Sequence, residues 1–458
     1  MSDADADLLF TPDKGIGLSL LRVRIAPDGS CLEVATAQKA IARGAVVWAT
    51  PWSPPAIWKS NGNLNYGGSL LPQHADDWAK VLVAFSQTMR SSGVPIDYLS
   101  AQNEPTMGNV DYESCVYTPT ALHDFITNHL GPAFVGAGLT TKIIAPETVG
   151  WGPDELFAFG GTILGDPLAS NDVGIIATHS YSGNPSAYPQ VAQAGKELWQ
   201  TEVYDQSKTA DPGMGSALRV ALMMHTALVD ASVNAWHYWW IYPRTTDNGA
   251  LWDKTTALPA KRLYAMGNFS RFVRPGYYRV QTTAMAPHPG ISFSAYYDPA
   301  PSGSGQLVIV AINENDTAAS QRFLFDGVNT GSWKSWVTSA GEDLVSSGIS
   351  VDGGIDLVYA LEPKSVTTLQ GVVTGPGPAV AVDIAPIQSQ SGGNASGCAC
   401  SSARGGRAGI EGPFLSALLA FARYRRLARA ASRCGPTVFR RRTAWQRAAE
   451  ARSRADCS

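Results

Sequence analysis

The chain has 458 residues, 45% of them hydrophobic and 16% charged, which is enough for one large core or for a large and a small domain. The net charge of −3 conceals a basic tail, because residues 401–458 hold 13 Arg against three acidic residues. The sequence contains no CxxC pair and no Cys/His metal spacing, which excludes the common zinc-binding modules.

Short apolar runs alternate with helical patterns as far as about residue 275. The runs that we predict to be strands are Gly17–Ile25, Ala45–Thr50, Ile96–Gln102, Thr141–Pro146, Val173–His179, Glu197–Thr201 and Val233–Trp240. The helices predicted between them are Ala35–Ala42, Ala75–Ser91, Thr120–Leu130 and Ser216–Ala231. This alternation is typical of parallel βαβ units, and it predicts an α/β fold, a (β/α)8 TIM barrel over residues 1–275 that lacks one strand. A doubly wound open sheet is the alternative, although no phosphate-binding glycine motif follows any strand.

A different pattern begins after Arg274-Pro275-Gly276. The short β-rich runs there are Arg279–Met285, Ile291–Tyr297, Gln306–Asn313, Gln321–Phe325, Ser332–Thr338 and Val366–Val373. Gly, Asp-Gly and Ser-Gly punctuate them, which predicts an antiparallel β-sandwich side domain over residues 276–373. We expect residues 374–400 to be a Pro/Gly/Ser-rich linker and residues 401–458 to be a disordered basic tail. The tail's apolar run Phe414–Ala422 is too short to cross a bilayer, so no stable membrane span is expected.

Two glutamates end predicted strands, Glu104 after Ile96–Gln102 and Glu202 after Glu197–Thr201. Active-site residues of such barrels lie at the carboxyl ends of the strands, and retaining glycosidases place two carboxyl groups about 5–5.5 Å apart. One such Glu alone is more often a solvated loop residue, but the pair beside aromatic residues favours catalysis. Asn103 precedes Glu104, and its amide can bond a sugar 2-hydroxyl in the transition state.

These residues belong to a series of motifs that resembles glycoside hydrolase family 30. The motifs, in order between residues 16 and 372, are LLRVRI, PDGS, ATPWSPPAIWKSNGNL, GGSLLP, SAQNEP, YESCVYTP, IIAPE, ATHSYSG, AGKELWQTEVYDQSK and FSRFVRPGYYRV. Within the family, the chain is most similar to the bacterial glucuronoxylan endo-1,4-β-xylanases, whose barrel carries a β-sandwich at its side. The resemblance implies a retaining xylanase without cofactor or metal, with Glu104 as acid/base and Glu202 as nucleophile.

The resemblance also implies a set of substrate-binding residues. Trp52 and Trp239 match the lining of the −1 subsite, and Arg22 and His179 match residues that support the catalytic carboxylates. From the residues alone, Arg22 could equally be a salt bridge at the base of the barrel, and His179 a core histidine. The other aromatic residues expected to contact the substrate are Tyr181 and Trp240.

A further group matches the family's pocket for a glucuronic acid branch. Arg244 corresponds to the Arg that holds the branch carboxylate, and Tyr204 and Ser207 correspond to its helpers; an Arg fork suits a carboxylate. This chain has Ile241 and Thr246 where tyrosines are expected. We therefore expect weaker dependence on the branch than in the family's xylanases.

The family's first barrel strand, which carries Gly-Phe-Gly-Gly, has no counterpart in this sequence. We expect that strand to be lost through a late start codon or a damaged gene, and a signal peptide to be lost with it, so that the protein is secreted or at the cell surface. We expect a monomer that binds xylan and no nucleic acid, since no aromatic residues interleave the tail's arginines as in a nucleic-acid-binding fold. The alternatives are another family 30 activity (β-glucosidase, glucosylceramidase or β-1,6-glucanase) and an inactive truncated carbohydrate-binding fragment.

Overall fold

The structure is a computed structural model that describes residues 1–282, 288–299 and 305–378. The end of the predicted strand Arg279–Met285, most of the predicted linker and the whole basic tail lie outside these residues. The boundaries predicted for the linker and tail therefore stay predictions.

A parallel sheet of seven strands forms the centre of the first 240 residues, in the order β1 to β7. The strands are β1 Leu20–Ile25, β2 Val46–Pro51, β3 Ile96–Ser100, β4 Lys142–Gly150, β5 Val173–Ser182, β6 Glu197–Gln200 and β7 Ala235–Trp236. Each strand coincides with a predicted strand, although β7 has two residues where eight were expected. Within the described ranges no strand joins β1 to β7, so the sheet has the seven members of the predicted barrel.

Helix α1 precedes β1, and the other helices follow strands and cover the outside of this sheet. They are α1 Asp3–Phe10, α2 Val34–Ile41, α3 Ala75–Ser91, α4 Pro119–Phe125, α5 Gly131–Gly136, α6 Ala158–Gly165, α7 Pro167–Asp172, α8 Pro189–Gln193, α9 Met214–Val229 and α10 Lys261–Ser270. Helix α3 has its predicted bounds, because Trp78, Leu82, Phe85 and Met89 recur on one face and are buried there. Burying each such side chain stabilises the fold by roughly 1.5–3 kcal/mol. No helix in the described part of the chain is long and apolar enough to cross a membrane.

The second part of the chain is antiparallel. Its strands are β8 Tyr278–Val280, β9 Ile291–Tyr297, β10 Gln306–Asn313, β11 Ala319–Leu324, β12 Val328–Thr330, β13 Trp333–Thr338, β14 Val345–Val351, β15 Asp356–Leu361 and β16 Ser365–Pro376. One sheet runs β14-β13-β16-β10-β9-β8, β12 pairs with β16, and β11 pairs with β15. The two layers enclose a core that includes Ile309, Phe323, Trp333, Leu357 and Leu369. The predicted side sandwich is therefore present, and it has three strands that were not predicted, β12, β14 and β15.

Helix α10 joins the barrel to the sandwich. Its Met266 and Phe269 share one apolar cluster with Val308 and Val366 of the antiparallel sheet. The buried Asn268 donates from Nδ2 to the Trp336 carbonyl (3.2 Å) and to Thr368 Oγ1 (3.0 Å), and its Oδ1 accepts from Thr338 Oγ1 (2.7 Å). The sandwich thereby supports the side of the barrel that follows β7.

Candidate active site

Glu104 and Glu202 lie just beyond the carboxyl ends of β3 and β6, as predicted, and the fold brings them together. Their side chains are nearly inaccessible, with 6% and 5% of each residue exposed. One oxygen of each carboxyl group lies within 4.8 Å of the other. Glu104 has a left-handed backbone (φ 46°), and its N–H donates to the carbonyl of Glu147 (3.0 Å). This unusual backbone, held by a neighbouring strand, directs the carboxyl group inward.

Arg22 of β1 connects several groups of the site. Its Nη1 donates to Glu202 Oε2, and its Nη2 donates to Asn103 Oδ1 (2.6 Å) and Glu147 Oε1 (3.0 Å). The guanidinium carbon also lies 4.7 Å from the ring centre of Trp52. Arg22 thus lies among the candidate catalytic carboxylates, and its contact with Asn103 fixes the orientation of that amide.

His179 of β5 is fully buried between three carboxyl groups. Its Nδ1 is 3.1 Å from Glu104 Oε1, and its Nε2 is 3.6 Å from Glu147 Oε1 and 3.8 Å from Glu202 Oε2. Burial alone would lower the pKa of His179, but Glu202, the hydrogen bond to Glu104 and the nearby Glu147 carboxylate raise it to about 9. His179 is therefore an imidazolium at neutral pH, and it faces the catalytic pair.

Two tyrosines complete the contacts of the pair. Tyr112 donates its hydroxyl proton to Glu104 Oε2 (2.8 Å), and Tyr181 donates to Glu202 Oε1 (2.9 Å). Tyr181 was among the predicted residues, whereas Tyr112 was missed because it lies in a loop without a strand-end signal. Glu147 was also missed, although it directly follows the predicted strand Thr141–Pro146. The rule that pointed to Glu104 and Glu202 would have found it.

The pKa values of the carboxyl groups are shifted in different directions. Burial opposes ionisation of Glu147, but Arg22 and His179 outweigh it and lower its pKa to about 2. Burial also opposes ionisation of Glu104, whose pKa is nevertheless lowered by His179, Tyr112 and Arg22. Burial dominates at Glu202 and raises its pKa, against the opposing effects of His179 and Arg22. Three carboxyl groups thus face two cations, and one proton on the catalytic pair makes the buried cluster neutral.

Glu104, His179 and Glu202 are also close enough to share a metal ion, since one ligand atom of each lies within 4.8 Å of the others. A metal needs the neutral form of an imidazole, however, and the raised pKa of His179 keeps its ring protonated at neutral pH. Arg22 already supplies a positive charge to Glu202. These residues therefore fit a metal poorly, and the expected lack of a metal or cofactor stays a prediction.

Partly exposed aromatic side chains lie beside the carboxyl groups. The ring centres of Trp52 and Trp239 are 6.0 Å apart, and Trp239 stacks on Trp240 at 5.0 Å. Tyr181 meets Tyr204 edge to face at 5.8 Å. The structure therefore brings together the aromatic residues that were predicted to contact the substrate. Such rings pack against the apolar faces of sugars.

The residues predicted for the glucuronate branch are less closely associated. Arg244 is exposed, and its guanidinium carbon lies 4.9 Å from the ring centre of Trp240. Ser207 Oγ instead accepts from Arg219 Nη2 (3.1 Å) and from Asn248 Nδ2 (2.9 Å). Within the described ranges no hydrogen bond joins Arg244 to Ser207 or Tyr204, so a branch pocket built from all three stays a prediction.

A barrel that buries two carboxyl groups at the carboxyl ends of its strands, beside partly exposed aromatic rings, defines a glycoside hydrolase. Comparison with known proteins identifies the family. Residues 31–216 match the model of the glycosyl hydrolase family 30 TIM-barrel domain. Glucuronoxylanase XynC of Bacillus subtilis is 32% identical over 344 residues, which cover 72% of this chain and 75% of that protein. The chain belongs to glycoside hydrolase family 30.

Two further similarities bear on specificity. The structure of the family 30 subfamily 8 xylanase Xyn30A from Clostridium acetobutylicum matches with a TM-score of 0.72 and 33% identity, covering 81% of this chain and 92% of that chain. Putative glucosylceramidase 2 of Caenorhabditis elegans is 28% identical over 305 residues, which cover 59% of this chain and 56% of that protein. The similar proteins thus differ in the substrates that their names state.

Proposed function

We propose that this protein is a retaining endo-1,4-β-xylanase that cuts the main chain of xylan, glucuronoxylan in particular. The observation that carries the proposal is the short approach of the Glu104 and Glu202 carboxyl groups, within 4.8 Å between one oxygen of each. Retaining enzymes place these groups about 5–5.5 Å apart, whereas inverting enzymes leave about 6.5–9.5 Å for a water molecule. The spacing supports a nucleophile and an acid/base on opposite sides of one glycosidic bond.

In the proposed mechanism Glu202 attacks the anomeric carbon while Glu104 protonates the departing oxygen, which gives a covalent glycosyl-enzyme. Glu104 then takes a proton from a water molecule, and the resulting attack at the anomeric carbon releases Glu202. Arg22 and Tyr181 each hold one oxygen of Glu202, which supports its role as an oriented carboxylate. Asn103 is oriented by Arg22 and is available to the sugar 2-hydroxyl.

This mechanism requires the proton of the catalytic pair on Glu104 when the sugar is bound. In the free site, burial raises the pKa of Glu202 and the contacts with His179 and Tyr112 lower that of Glu104. The oxocarbenium-like transition state places positive charge beside Glu202 and thereby favours its ionised form. Negative charge develops at the same time on the leaving oxygen beside Glu104, which favours proton transfer from that side.

A substrate screen with product analysis tests the proposal. The protein is incubated with glucuronoxylan, arabinoxylan, β-1,6-glucan and aryl β-glucosides, and the anomeric configuration of the first product is followed by NMR. We expect new reducing ends from xylans, initially in the β configuration, and none from the Glu104→Ala, Glu202→Ala double variant.

Other outcomes of this screen would contradict the proposal. A product that is initially α would refute retention. Turnover of glucosides or β-1,6-glucan without turnover of xylan would favour another family 30 activity, for which the similarity to a glucosylceramidase is the supporting observation. A folded protein that binds xylan but turns over none of these substrates would favour an inactive carbohydrate-binding fragment.

Recognition of the acidic branch rests on Arg244 in this proposal. We expect Arg244→Ala to cost on the order of 2–4 kcal/mol in kcat/KM on glucuronoxylan, because a paired guanidinium–carboxylate contact is lost. Arabinoxylan should be almost unaffected, since it offers no carboxylate.

Arg271→Ala is a matched control for this variant, because Arg271 also lies over an aromatic ring, that of Phe272 (5.5 Å). It removes a similar contact at the C-terminal end of α10, outside the proposed branch pocket, and should leave the ratio of kcat/KM on the two polysaccharides unchanged. Equal losses on both polysaccharides in Arg244→Ala would mean that Arg244 supports the fold instead. No loss on either would remove the glucuronate pocket from the proposal.

We also propose that the protein acts outside the cell, because intact xylan is a polymer that cannot cross a membrane. We further propose that it is a monomer. Fractionation of the source cells should find the protein in the medium or at the cell surface. Light scattering should give the mass of a single chain, 48.6 kDa if it is unprocessed. Protein confined to the cytoplasm would contradict the proposed location.

A further inference from the structure

Glu147 contributes both its side chain and its backbone to the centre of the site. It is completely buried in β4, where its Oε1 accepts from Arg22 Nη2 (3.0 Å) and lies 3.6 Å from His179 Nε2. Its Oε2 accepts from Thr50 Oγ1 (2.7 Å). Its carbonyl accepts the N–H of Glu104 (3.0 Å). Glu147 also has a left-handed backbone (φ 54°), which is costly for a residue with a side chain and persists only where the surroundings impose it.

These contacts place Glu147 beside Arg22 and His179, the two cations that contact the catalytic pair. Arg22 contacts Glu202 through Nη1 and Glu147 through Nη2, while His179 contacts Glu104 through Nδ1 and lies 3.6 Å from Glu147 at Nε2. We propose that Glu147 is a positioning residue that anchors Arg22 and His179 against the catalytic carboxylates, and that its charge fixes the number of protons that the buried cluster holds. The part of this proposal that concerns catalysis rests on the proposed function.

The charge of Glu147 affects how many protons the catalytic pair holds. With Glu147 ionised, three carboxylates face two cations, and the cluster becomes neutral when Glu104 and Glu202 share one proton. Without that charge, the two cations already balance Glu104 and Glu202, and a proton on the pair makes the cluster positive. Burying net charge is costly, so Glu147 favours the singly protonated pair that general acid catalysis requires.

Charged and titratable groups face Glu147, His179 and their partner carboxylates from several neighbouring strands and loops. They are Arg22 of β1, Glu104 after β3, Tyr112 from the loop after β3, Glu155 after β4, Tyr181 of β5, Glu202 after β6 and His237 after β7. Removing one negative charge from this set lowers the pKa of each group that titrates nearby, because a positive charge loses a stabilising partner and a carboxylate loses a repelling one. The pKa that limits activity at alkaline pH is therefore lowered whichever group loses its proton first.

Glu147→Gln tests the proposal, because it preserves the shape of the side chain and one acceptor oxygen while it removes the charge. We expect the alkaline limb of the kcat/KM profile on xylan to move to lower pH by about one unit or more, as an opposite or like charge within about 4–6 Å shifts a pKa by 1–3 units. Glu113→Gln is the matched control, because Glu113 pairs with Arg24, two residues beyond Arg22 on the same strand. That variant should leave the alkaline limb in place. An unmoved limb in a folded Glu147→Gln protein would overturn the catalytic part of the proposal.

A second measurement does not depend on turnover. The ¹⁵N shifts of the His179 ring in the unaltered protein should report an imidazolium that persists above pH 8, and in Glu147→Gln the ring should lose its proton at lower pH. A neutral His179 ring at pH 7 in the unaltered protein, or identical titration in both proteins, would overturn the role of Glu147. If the protein hydrolysed no glycoside, this titration would still test Glu147, so failure of the proposed function and failure of this inference are distinguishable.

Discussion

Removing each catalytic carboxyl group in turn should affect different steps, and this asymmetry tests the assigned roles. In Glu104→Ala, the first step still has its nucleophile, because Arg22 and Tyr181 continue to hold Glu202. Only the proton for the leaving oxygen is missing. In Glu202→Ala no covalent intermediate can form, whatever the leaving group, and Arg22 loses a buried partner.

The expected magnitudes follow from these contacts. General acid catalysis contributes about 10²–10⁴-fold, so Glu104→Ala should lose roughly 3–5.5 kcal/mol of transition-state stabilisation on xylan. Most of that loss should disappear with a xylobioside of 2,4-dinitrophenol, whose leaving group needs no proton. Glu202→Ala should lose at least about 10⁴-fold on both substrates, as is found when a nucleophile is removed.

The assay compares kcat/KM of both variants on xylan and on the activated xylobioside, and it identifies the products formed from the xylobioside with and without azide. Azide should enter the space vacated by Glu104, attack the glycosyl-enzyme and give a β-glycosyl azide. The thermal unfolding of each variant is the control for a loss of fold. Equal losses on the activated substrate, or an α-glycosyl azide from Glu104→Ala, would refute the assignment of roles.

Two further predictions concern the hydrogen bonds of single side chains. Tyr181→Phe removes the hydroxyl that donates to Glu202 Oε1. Because a hydrogen bond to a charged group contributes about 1.5–3 kcal/mol, kcat/KM should fall about 10–100-fold on activated and natural substrates alike. A loss confined to natural substrates would mean that Tyr181 assists the general acid, Glu104, instead. Asn268→Ala leaves the Trp336 carbonyl and the Thr338 hydroxyl without their buried partner, and it should lower the free energy of unfolding by about 2–4 kcal/mol in a denaturant titration. The partly exposed Asn65, whose Nδ2 donates to the Asp111 carbonyl, is the control. Asn65→Ala should change that free energy little, and an equal effect of the two changes would show that α10 does not couple the barrel to the sandwich.

The sequence could predict most of the fold because its periodic patterns are local. Helix α3 and the strands β9 and β10 have their predicted bounds, since each is an uninterrupted amphipathic or apolar run. Strand β14 was missed because its sequence, VSSGISV, contains the Ser-Gly step that is typical of a turn. It is a strand because β13 offers it a hydrogen-bonding edge, and that tertiary contact is not encoded in a local pattern.

The residues of the site likewise include some that a local pattern predicts and some that only tertiary contacts determine. Glu104 and Glu202 could be predicted because strand ends in a parallel barrel converge on one face. Glu147 directly follows the predicted strand Thr141–Pro146 and fits the same rule, although β4 continues to Gly150. Tyr112 could not be predicted in this way, because the position of its hydroxyl depends on a loop that folds back onto Glu104. The partners of Ser207 were equally hidden, since Arg219 comes from α9 and Asn248 from the loop before α10.

The origin of the charged groups couples the active site to the fold. Arg22, Glu104, Glu147, His179 and Glu202 come from five different strands or strand ends of the same parallel sheet. Each is nearly or fully buried, so each charge is compensated only when all five strands stand in their native order. Removing one partner from a buried ion pair typically costs about 3–5 kcal/mol, because the other charge is left uncompensated. Loss of activity in a variant that shortens a side chain, such as Arg22→Ala, therefore combines a catalytic effect with a loss of stability. The pH profile of an isosteric variant such as Glu147→Gln separates the catalytic effect from the loss of stability.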